Sequence, residues 1–520
     1  MTTCSFSMAG GDYERAGSAS RSLKELLKTV GVDPVAVRRV MVAAYEAEMN
    51  VVIHAHRGTL QATVDGRDVV VDVSDEGPGI PDIALAMKEG YSTAPPKARE
   101  LGFGAGLGLP NIRKHSDEFS IESTVGKGTR VRFRVRIGAL DAREHAFTSM
   151  HLHGELCRRC MQCIQVCPTQ ALRVHRGAPS VLTHLCIECT SCIQTCPAGA
   201  LSMEVPDRVP SPSPSTVLVL PPAFLFQFGA DLAPEAILAA LGALGFADVR
   251  LLSGWDASLQ DAVRDWARQR PTAGPVISSV CPAVINLVET RFPSLLSELA
   301  PWVTPVEAVV RDLGTTDVVM AVCPAQRTSL LAAGVPDTHL VSPQMLREAV
   351  RPHAQRGASA PGAPLAGPGT EHDPGTLRVE GLRSVIDILE DLENGQLQDL
   401  QVLELYACSH GCFGSGMMKA GSAALAAHRW QSMGRQASSG AHAFRREQPY
   451  SPRSGVRLDP DMGKAMKKLA RIEELLRGLP GRDCGQCGAP TCRAFAEDVV
   501  LDRISLRACI HAGGGKGNKP

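Results

Sequence analysis

The chain has 520 residues, with 54 Lys or Arg against 54 Asp or Glu and therefore no net charge at neutral pH. This balance gives no support for binding to nucleic acid or to an anionic membrane, and no window has the eighteen apolar residues that a membrane span needs. The first residues lack the apolar run of a secretory signal, so we expect a cytoplasmic protein. A single hydrophobic core is excluded by the length, which predicts several domains.

Composition divides the chain further. Segments 206–215, 356–375 and 435–455 are rich in Pro, Ser, Gly or Ala and are typical of linkers or loops without fixed structure. The fold class is therefore predicted to be a multidomain combination of α/β and α+β units. The predicted domains are residues 1–137, 146–205, 216–432 and 460–513.

In the first domain, a helix beginning near Pro34 places Glu46 and Asn50 four residues apart on one face. A hairpin follows, and its second strand ends in "DEGPGI" at residues 75–80. A polar stretch, residues 81–103, is expected to be a mobile lid. The Gly-rich run "GFGAGLG" then opens a helix, and two strands around "GKGT" close the domain.

This order of elements resembles the ATP-binding α/β sandwich of sensor histidine kinases, gyrase-type ATPases and anti-sigma-factor kinases. Without a dimerisation-helix histidine, it is most similar to the anti-sigma group, whose domains often form homodimers. The resemblance implies that Asn50 holds Mg²⁺, Glu46 is the catalytic general base and Asp75 accepts from the adenine amino group. It also implies that Gly77 and Gly79 let the backbone approach the nucleotide, and that Thr129 supports the adenine pocket. The phosphates would be held by backbone N–H groups of Gly104, Gly106 and Gly108.

Seventeen cysteines are present, and sixteen of them form clusters: eight between residues 157 and 196, four from 281 to 412 and four between 484 and 509. In a cytoplasmic protein such clustering favours metal ligation over disulfides. Four [4Fe–4S] cubanes need sixteen thiolates. The count therefore predicts about four cubane clusters.

The segments "CRRCMQCIQVCP" and "CIECTSCIQTCP" each have the spacing C-x₂-C-x₂-C-x₃-C-P. This is the spacing of bacterial two-cluster ferredoxins, in which the fourth cysteine of each run binds the other cluster. Structural zinc is the alternative, but its sites use C-x₂-C pairs separated by a longer loop. The predicted ligand sets are Cys157, Cys160, Cys163 and Cys196 for one cluster, and Cys186, Cys189, Cys192 and Cys167 for the other.

Three stretches of the third domain, "SSVCPAV", "VVMAVCPAQ" and "LYACSHGC", resemble the cluster-binding motifs of [FeFe]-hydrogenases and their relatives. The likeness spans most of residues 216–418 and predicts a hydrogenase-like α/β domain. It implies that Cys281, which stands alone in an apolar stretch, is a ligand and not a packing residue. The implied ligands of one [4Fe–4S] cluster are Cys281, Cys323, Cys408 and Cys412.

Several positions depart from the hydrogenase pattern. Val280 stands where the family has a proton-passing cysteine, and Gln326 stands where it has a lysine that pairs with the di-iron unit. Ala321 and Tyr406 replace methionines, and we interpret His410 as a loop residue. Fast hydrogen production is therefore not expected. Two interpretations stay open: a sensory domain with or without a di-iron centre, and a plain [4Fe–4S] domain.

The last domain carries the spacing C-x₂-C-x₄-C-x₁₆-C and looks like a small one-cluster domain of electron-transfer subunits and some corrinoid proteins. Glycines after the first two cysteines free the backbone to wrap a cubane. Zinc is again the alternative. The candidate ligands are Cys484, Cys487, Cys492 and Cys509.

These features together predict a redox or hydrogen sensor that couples cluster state to an ATP-binding, kinase-like domain. The expected partners are ATP with Mg²⁺, a redox protein or electron donor, and a regulatory protein of the anti-anti-sigma type. The alternative is an electron-transfer subunit or a low-activity hydrogenase-type oxidoreductase. The sequence leaves open whether the protein is an enzyme, because the first domain could bind nucleotide without turning it over.

Overall fold

The computed structural model describes residues 2–96, 98, 104, 106–137, 148–175, 177–203, 212–229, 232–270, 274–312, 314, 317–356, 373–397, 399–418, 421–433, 442–453, 458–459 and 461–511. Parts of the predicted linkers (206–211, 357–372, 435–441 and 454–455), of the predicted lid (97 and 99–103) and the tail from 512 lie outside the described residues. Within the described ranges, no helix combines the length and hydrophobicity needed to cross a bilayer.

The N-terminal domain is an antiparallel sheet with helices packed on one face. Its strands, in the spatial order β1-β2-β3-β5-β4, are β1 (Thr2–Ala9), β2 (Arg57–Val64), β3 (Asp68–Asp75), β4 (Glu118–Thr124) and β5 (Gly128–Arg136). Its helices are α1 (Ser18–Thr29), α2 (Pro34–His54), α3 (Ile83–Ala86) and α4 (Gly108–Lys114). The alternation of "VVVDVSD" buries Val69, Val71 and Val73 against the helices.

Helix α2 begins where the sequence predicts. Pro34 occupies its first turn, and the side chain of Asp33 accepts a hydrogen bond from the Ala36 N–H at 2.8 Å. This N-cap satisfies one of the free donors of the first turn. The helix then runs for 21 residues and carries Glu46 and Asn50 in its second half.

The ferredoxin-type domain is built from two similar halves. Each half contains a short helix, α5 (Gln162–Val166) or α6 (Ser191–Thr195), and the strands pair as β6 (Met150–Leu152) with β9 (Leu201–Met203) and β7 (Leu172–His175) with β8 (Ala178–Val181). The halves also share short 3₁₀ helices, Gly154–Leu156 and Thr183–Leu185, immediately before their first cysteines. The repeat in the sequence is thus a repeat in the fold.

The third domain contains two parallel sheets. One has the order β11-β10-β13-β14, with β10 (Val217–Leu220), β11 (Asp248–Leu251), β13 (Val318–Met320) and β14 (Leu340–Val341); the other has the order β12-β16-β15, with β12 (Val276–Ile277), β15 (Thr376–Glu380) and β16 (Val402–Tyr406). The helices are α7 (Pro234–Ala243), α8 (Ser253–Arg268), α9 (Pro282–Arg291), α10 (Pro305–Asp312), α11 (Pro324–Ala332), α12 (Pro343–Arg356), α13 (Leu382–Glu393) and α14 (Ala423–Gln431). Further 3₁₀ helices are Pro222–Phe226, Pro293–Glu298, Asp337–His339 and Gly411–Gly414. Both cores are built mainly from apolar strand and helix residues.

The C-terminal module contains α15 (Met462–Gly478), α16 (Cys492–Val500) and the 3₁₀ helix Leu506–Ala508. It is not an isolated appendage, because Ala465, Leu469 and Ile472 of α15 lie in the hydrophobic core of the N-terminal domain. The two ends of the chain therefore share one core.

Residues 442–453 differ from the expectation of a structureless linker. Tyr450 donates its hydroxyl hydrogen to the Trp302 carbonyl at 2.8 Å, and the guanidinium of Arg453 donates to the Cys186 carbonyl at 2.8 Å. Arg453 is only 3% exposed. Polar composition predicted a loop, but the buried tyrosine contact fixes this segment on the third domain and the buried arginine contact fixes it on the ferredoxin-type domain.

Candidate functional site

The acidic end of the predicted nucleotide pocket is formed by α2 and α4. The amide nitrogen of Asn111 donates to Glu46 Oε1 at 2.7 Å. A Cβ built on Gly108 would lie 3.3 Å from both Asn50 Oδ1 and Glu46 Oε2. A carboxylate, an amide oxygen and a bare backbone therefore converge on one point. Asn111 was not singled out from the sequence, although it lies three residues after Gly108 in the helix that the glycines open.

The opposite end of the pocket is formed around Asp75. The Thr129 N–H donates to Asp75 Oδ1 at 3.2 Å, and burial raises the pKa of Asp75 against the opposing hydrogen bonds from the Thr129 and Gly77 N–H groups. The hydroxyls of Ser123 and Thr129 lie 2.9 Å apart. Gly128 has φ +119°, and a Cβ there would lie 2.0 Å from the Asp75 carbonyl oxygen. Only glycine fits at this crossing of β3 and β5.

The glycines of the loop before α4 are required by close backbone packing. Gly106 has φ +75°, and a Cβ on it would lie 2.5 Å from the Gly90 carbonyl carbon. The Gly90 N–H donates to the Gly106 carbonyl at 3.0 Å, which ties the loop to the middle of the predicted lid. A Cβ on Gly104 would meet the Ala94 side chain at 2.4 Å, and at Gly79 it would meet the Thr124 carbonyl oxygen at 2.4 Å.

One half of the ferredoxin-type domain gathers a first set of cysteines. Burial raises the pKa of the Cys163 thiol to about 11, and the neighbouring thiols of Cys196, Cys157 and Cys160 contribute to the rise. These are the four cysteines that the crossed ferredoxin pattern predicts to share a cluster. Cys160 is exposed, so this set lies at the protein surface.

A second set forms in the other half. Burial raises the pKa of the Cys192 thiol, and the thiols of Cys189, Cys186 and Cys167 add to the shift. The Ala171 N–H donates to Cys167 Sγ at 3.2 Å; in the other half, the Ala200 N–H donates to Cys196 Sγ at 3.3 Å. Equivalent sulfurs of the two halves thus receive equivalent N–H groups, as cluster thiolates commonly do.

The third set lies deep in the hydrogenase-like domain. Cys281 and Cys323 cap the N-termini of α9 and α11, each directly before a proline in the first turn, and Cys408 and Cys412 follow β16. Burial raises the pKa of the Cys323 thiol, with further contributions from Cys408 and Cys281. Burial also raises the pKa of the Cys412 thiol, as do Cys323 and Cys281. Cys281 is thus grouped with three other thiols.

The surroundings of Cys412 are filled by the protein itself. Gln326 is 4% exposed; its Oε1 accepts from the Val322 N–H at 3.0 Å and its Nε2 donates to Cys412 Sγ at 3.7 Å. Val280 is buried beside Cys281, and the Arg378 guanidinium stacks 4.5 Å from the centre of the Tyr406 ring. His410 is exposed in the connecting loop, at φ +59°.

The fourth set lines a cavity of the C-terminal module together with Phe495, and its members are Cys484, Cys487, Cys492 and Cys509. Burial raises the pKa of the Cys487 thiol, as do Cys509 and Cys484. The Cys492 N–H at the start of α16 donates to Asp483 Oδ1 at 2.7 Å, which fixes the third cysteine.

Among the described residues, no group of three or more His, Cys, Asp or Glu side chains is arranged to hold a single metal ion. A cubane distributes its thiolates over four iron atoms.

The second and third cysteine sets adjoin each other. The Gly416 N–H donates to the Thr190 hydroxyl at 3.2 Å, and Gln194 Nε2 donates to the Gly414 carbonyl at 3.1 Å. The buried carboxylate of Glu188 accepts from the hydroxyls of Thr148 and Thr328, at 2.7 and 2.9 Å. No sequence pattern distinguished Glu188, because its role depends on a contact between two domains.

The fourth set adjoins the ferredoxin-type domain. The Val174 N–H donates to the Gly488 carbonyl at 2.9 Å, and a Cβ on Gly485 would lie 2.9 Å from Gln165 Nε2. The cysteine sets of the C-terminal module, the ferredoxin-type domain and the hydrogenase-like domain thus belong to domains in direct contact, one after the next.

Comparison with known proteins assigns each region to a family. Residues 11–135 match the histidine kinase-like ATPase domain, 149–197 the 4Fe–4S dicluster domain, 213–315 the iron-only hydrogenase large subunit, C-terminal domain, and 479–511 a domain described as an Fe–S cluster domain. These matches confirm the predicted multidomain fold class and the resemblances drawn from the motifs.

Two curated relatives match the N-terminal domain. The serine/threonine-protein kinase RsbT of Bacillus subtilis (strain 168) is 33% identical over 119 residues, which cover 22% of this chain and 84% of that protein. The anti-sigma F factor of Thermoanaerobacter sp. (strain X514) is 36% identical over 102 residues, covering 19% of this chain and 68% of that protein.

Among solved structures, a variant of the [FeFe]-hydrogenase HydA1 from Chlamydomonas reinhardtii is 14% identical with a TM-score of 0.34, covering 45% of this chain and 88% of that one. This score is too low to carry an argument by itself. The family matches and the curated relatives decide the assignment. The same chain carries iron–sulfur domains and a hydrogenase-like domain. Through its N-terminal domain, which is similar to anti-sigma F factors and RsbT, the chain belongs to the histidine kinase-like ATPase family.

Proposed function

We propose that this protein is a redox-responsive regulator in which [4Fe–4S] clusters, bound by the sixteen grouped cysteines, set the state of an ATP-binding domain of the anti-sigma kinase type. The observation that carries the proposal is that the cysteine-bearing modules and the nucleotide domain share cores and buried contacts. Helix α15 of the C-terminal module supplies Ala465, Leu469 and Ile472 to the core of the nucleotide domain. A change in one module therefore has a physical route to the next.

The cysteine sets fit cubane clusters in their donor chemistry. Each set supplies four thiols, and burial raises the pKa of the thiols of Cys163, Cys192, Cys323 and Cys487. Burial makes a bare thiolate unfavourable, so iron would supply the positive charge that offsets the cost. A bound cluster would accept and release single electrons.

The residues beside Cys412 do not fit a di-iron centre. The amide of Gln326 is already engaged with the Val322 N–H and the Cys412 sulfur, and it carries no charge for an anionic ligand. Val280 offers no proton where a relay would need one. We therefore propose that this domain holds a [4Fe–4S] cluster without a di-iron centre. The oxidation state of that cluster is the signal.

The nucleotide domain is proposed to bind ATP with Mg²⁺, with Asn50 as the metal-facing amide and Asp75 at the adenine. Glu46 is the proposed general base, and the hydrogen bond that its carboxylate accepts from Asn111 supports this role. The curated relatives are named a serine/threonine-protein kinase and anti-sigma F factors. A small regulatory protein bearing a serine or threonine is the proposed phosphate acceptor.

Anaerobically purified full-length protein tests the proposal. We expect iron and acid-labile sulfide at about sixteen atoms each per chain, and an EPR signal after reduction with dithionite. ATP affinity, and with it phosphoryl transfer, should differ between the oxidised and reduced protein. Zinc in place of iron, or ATP binding that is indifferent to reduction, would contradict it. Glu46→Ala should keep ATP binding and lose turnover; unchanged turnover would show that the domain only binds nucleotide.

An electron-transfer function is the second candidate, and the contacts between successive cysteine-bearing modules favour it. Hydrogen turnover measured after maturation with the di-iron cofactor separates the two. Appreciable turnover would favour the oxidoreductase, and its absence together with a redox-dependent ATP affinity would favour the regulator.

A further inference from the structure

One helix connects a cluster ligand to the nucleotide domain. Cys281 is the N-cap of α9, and its carbonyl accepts from the Val284 and Ile285 N–H groups at 3.0 and 3.1 Å. The helix has 10 residues, most of them buried, and is therefore about 15 Å long. It ends at Arg291 and Phe292, against the surface on which the nucleotide domain is docked.

Two lysines of α1 meet the far end of α9. Lys28 donates to the Arg291 carbonyl at the end of the helix, and the Nζ atoms of Lys24 and Lys28 lie 5.4 and 5.6 Å from the centre of the Phe292 ring. Lys24 forms an ion pair with Glu393, and Lys28 Nζ lies 3.9 Å from the same carboxylate. Their side chains are 10%, 5% and 2% exposed. We name Lys24, Lys28 and Glu393 the interface triad.

The interface triad is neither a surface ion pair nor part of either predicted site. Burial lowers the pKa of Lys24 to about 6 and that of Lys28 to about 8, so near neutral pH it is Lys28 that carries the positive charge opposite the Glu393 carboxylate. A buried pair of this kind is expensive to break by removing one partner. The other charged groups facing the lysines are Glu25, Arg291 and Glu390.

Helix α1 in turn supports the helix that carries the nucleotide residues. The Ala19 and Ser20 N–H groups in its first turn donate to the carboxylate of Glu48 at 3.1 and 2.9 Å. Glu48 is 1% exposed and lies on α2 midway between Glu46 and Asn50. The docking of α1 therefore fixes a residue two positions from each of them.

Resting on the proposed function, we propose that α9 and the interface triad are the route by which the cluster held by Cys281 controls the nucleotide pocket, through the docking of α1. One electron, supplied in the assay by dithionite, adds one negative charge at the N-terminal end of α9. That charge attracts the Lys28 ammonium on α1, whereas Glu393 lies in the same domain as the cluster and keeps its distance from it, so reduction tightens the docking. Tight docking holds Glu48, and with it α2, in the arrangement where Glu46, Asn50 and Gly108 converge.

The size of the effect follows from the helix length. A unit charge about 15 Å from the Lys28 ammonium, at an effective dielectric constant of about 20, shifts an equilibrium about sixfold. The carboxylate of Glu25 on the same helix is exposed and is screened by solvent. This is at the low end of measured allosteric couplings, which run from about 5- to 150-fold. Mg·ATP should therefore bind about sixfold more tightly to the reduced protein.

The test is equilibrium dialysis of Mg·ATP against full-length protein, oxidised and dithionite-reduced. The Lys24→Met/Lys28→Met variant should bind Mg·ATP with the same affinity in both states while its iron content and EPR signal match the wild type. Arg21→Met, which removes an exposed cation from the same helix, should keep the sixfold ratio. A wild type that shows the ratio together with a double variant that keeps it would overturn the route alone. No ratio in the wild type would overturn the proposed regulator and the route with it.

Hydrogen exchange on the wild type gives a second measurement that needs no variant. Amides of residues 18–29 should exchange about sixfold more slowly after reduction, whereas those of β4, which lies on the far edge of the sheet, should not change. Equal exchange of residues 18–29 in both redox states would overturn the proposal even if the double variant failed to fold.

Discussion

Replacing Asp498 with alanine tests whether the C-terminal module is held on the ferredoxin-type domain by one buried carboxylate. Asp498 is fully buried and forms an ion pair with Arg173, which is itself 3% exposed. Arg503 donates to the same carboxylate at 3.2 Å, and His175 Nε2 lies 3.7 Å from it. The variant would leave the Arg173 guanidinium buried without its carboxylate, which costs about 3–5 kcal/mol.

Hydrogen exchange on the full chain measures this cost locally, because unfolding of a protein with several domains is not a single two-state step. At about 1.4 kcal/mol per tenfold, the lower figure predicts that protection of amides 492–500 falls by about a hundredfold. The matched control is Glu474→Ala, which removes the carboxylate of an exposed pair with Arg471 in the same module and should leave protection unchanged. Equal protection in the two variants would refute the reasoning.

The pH dependence of the same contact has a definite sign. Burial alone would raise the pKa of Asp498, but the interactions of its carboxylate with His175 and with the Arg173 guanidinium outweigh it and hold the pKa below the ordinary value. The pKa is thus lower in the folded chain than in the unfolded chain. The stabilisation is complete above the pKa of an unfolded aspartate and is lost as the pH falls through the lowered value.

Three further changes have specific outcomes. Gly128→Ala should abolish Mg·ATP binding measured by calorimetry, because its Cβ would clash with the Asp75 carbonyl oxygen. The control Gly66→Ala, with open space around it, should bind normally. Normal binding by both variants would show that the crossing of β3 and β5 is not rigid. Cys484→Ala should lower the iron content from about sixteen to about twelve atoms per chain, and Cys4→Ala should leave it unchanged; equal iron in the two variants would remove Cys484 from the ligands. Because burial raises the pKa of Asp75, ATP affinity should fall as the pH is lowered through that raised value, and Asp75→Asn should bind weakly at every pH; a wild-type affinity that is flat with pH would contradict the adenine role.

Much of the fold could be predicted because the deciding signals are local. In a C-x₂-C-x₂-C-x₃-C run, the short spacing by itself brings the sulfur atoms close together. The structure groups Cys163 with Cys157, Cys160 and Cys196, as the crossed ferredoxin pattern predicts. The helix with Glu46 and Asn50, the strand ending at Asp75 and the glycine loop also follow from short-range pattern. Local spacing could not identify Cys281 as a ligand, because its partner cysteines lie up to 131 positions away. Only the resemblance to hydrogenases connected them.

The missed residues are those whose role arises from contact between distant segments. Glu48 looks like any helix carboxylate until α1 places two N–H groups against it. No sequence pattern distinguished Lys24 and Lys28, yet both are buried, against the third domain. Segment 442–453 has the composition of a loop. Its fixed position depends on the buried contacts of Arg453 and Tyr450, which the composition does not predict.

The domain contacts close into a ring, and this decides how a local change can spread. The nucleotide domain contacts the hydrogenase-like domain through the interface triad and through the Arg38–Glu298 ion pair at 2.6 Å. That domain contacts the ferredoxin-type domain at Thr190 and Gly416, which contacts the C-terminal module through Asp498, and α15 returns to the nucleotide core. In an open string of domains, a module could tilt without strain on the others. In a ring of buried contacts, a tilt at one interface must be accommodated by changes at the other three interfaces. A charge change at any cysteine set can therefore affect α2 through either side of the ring.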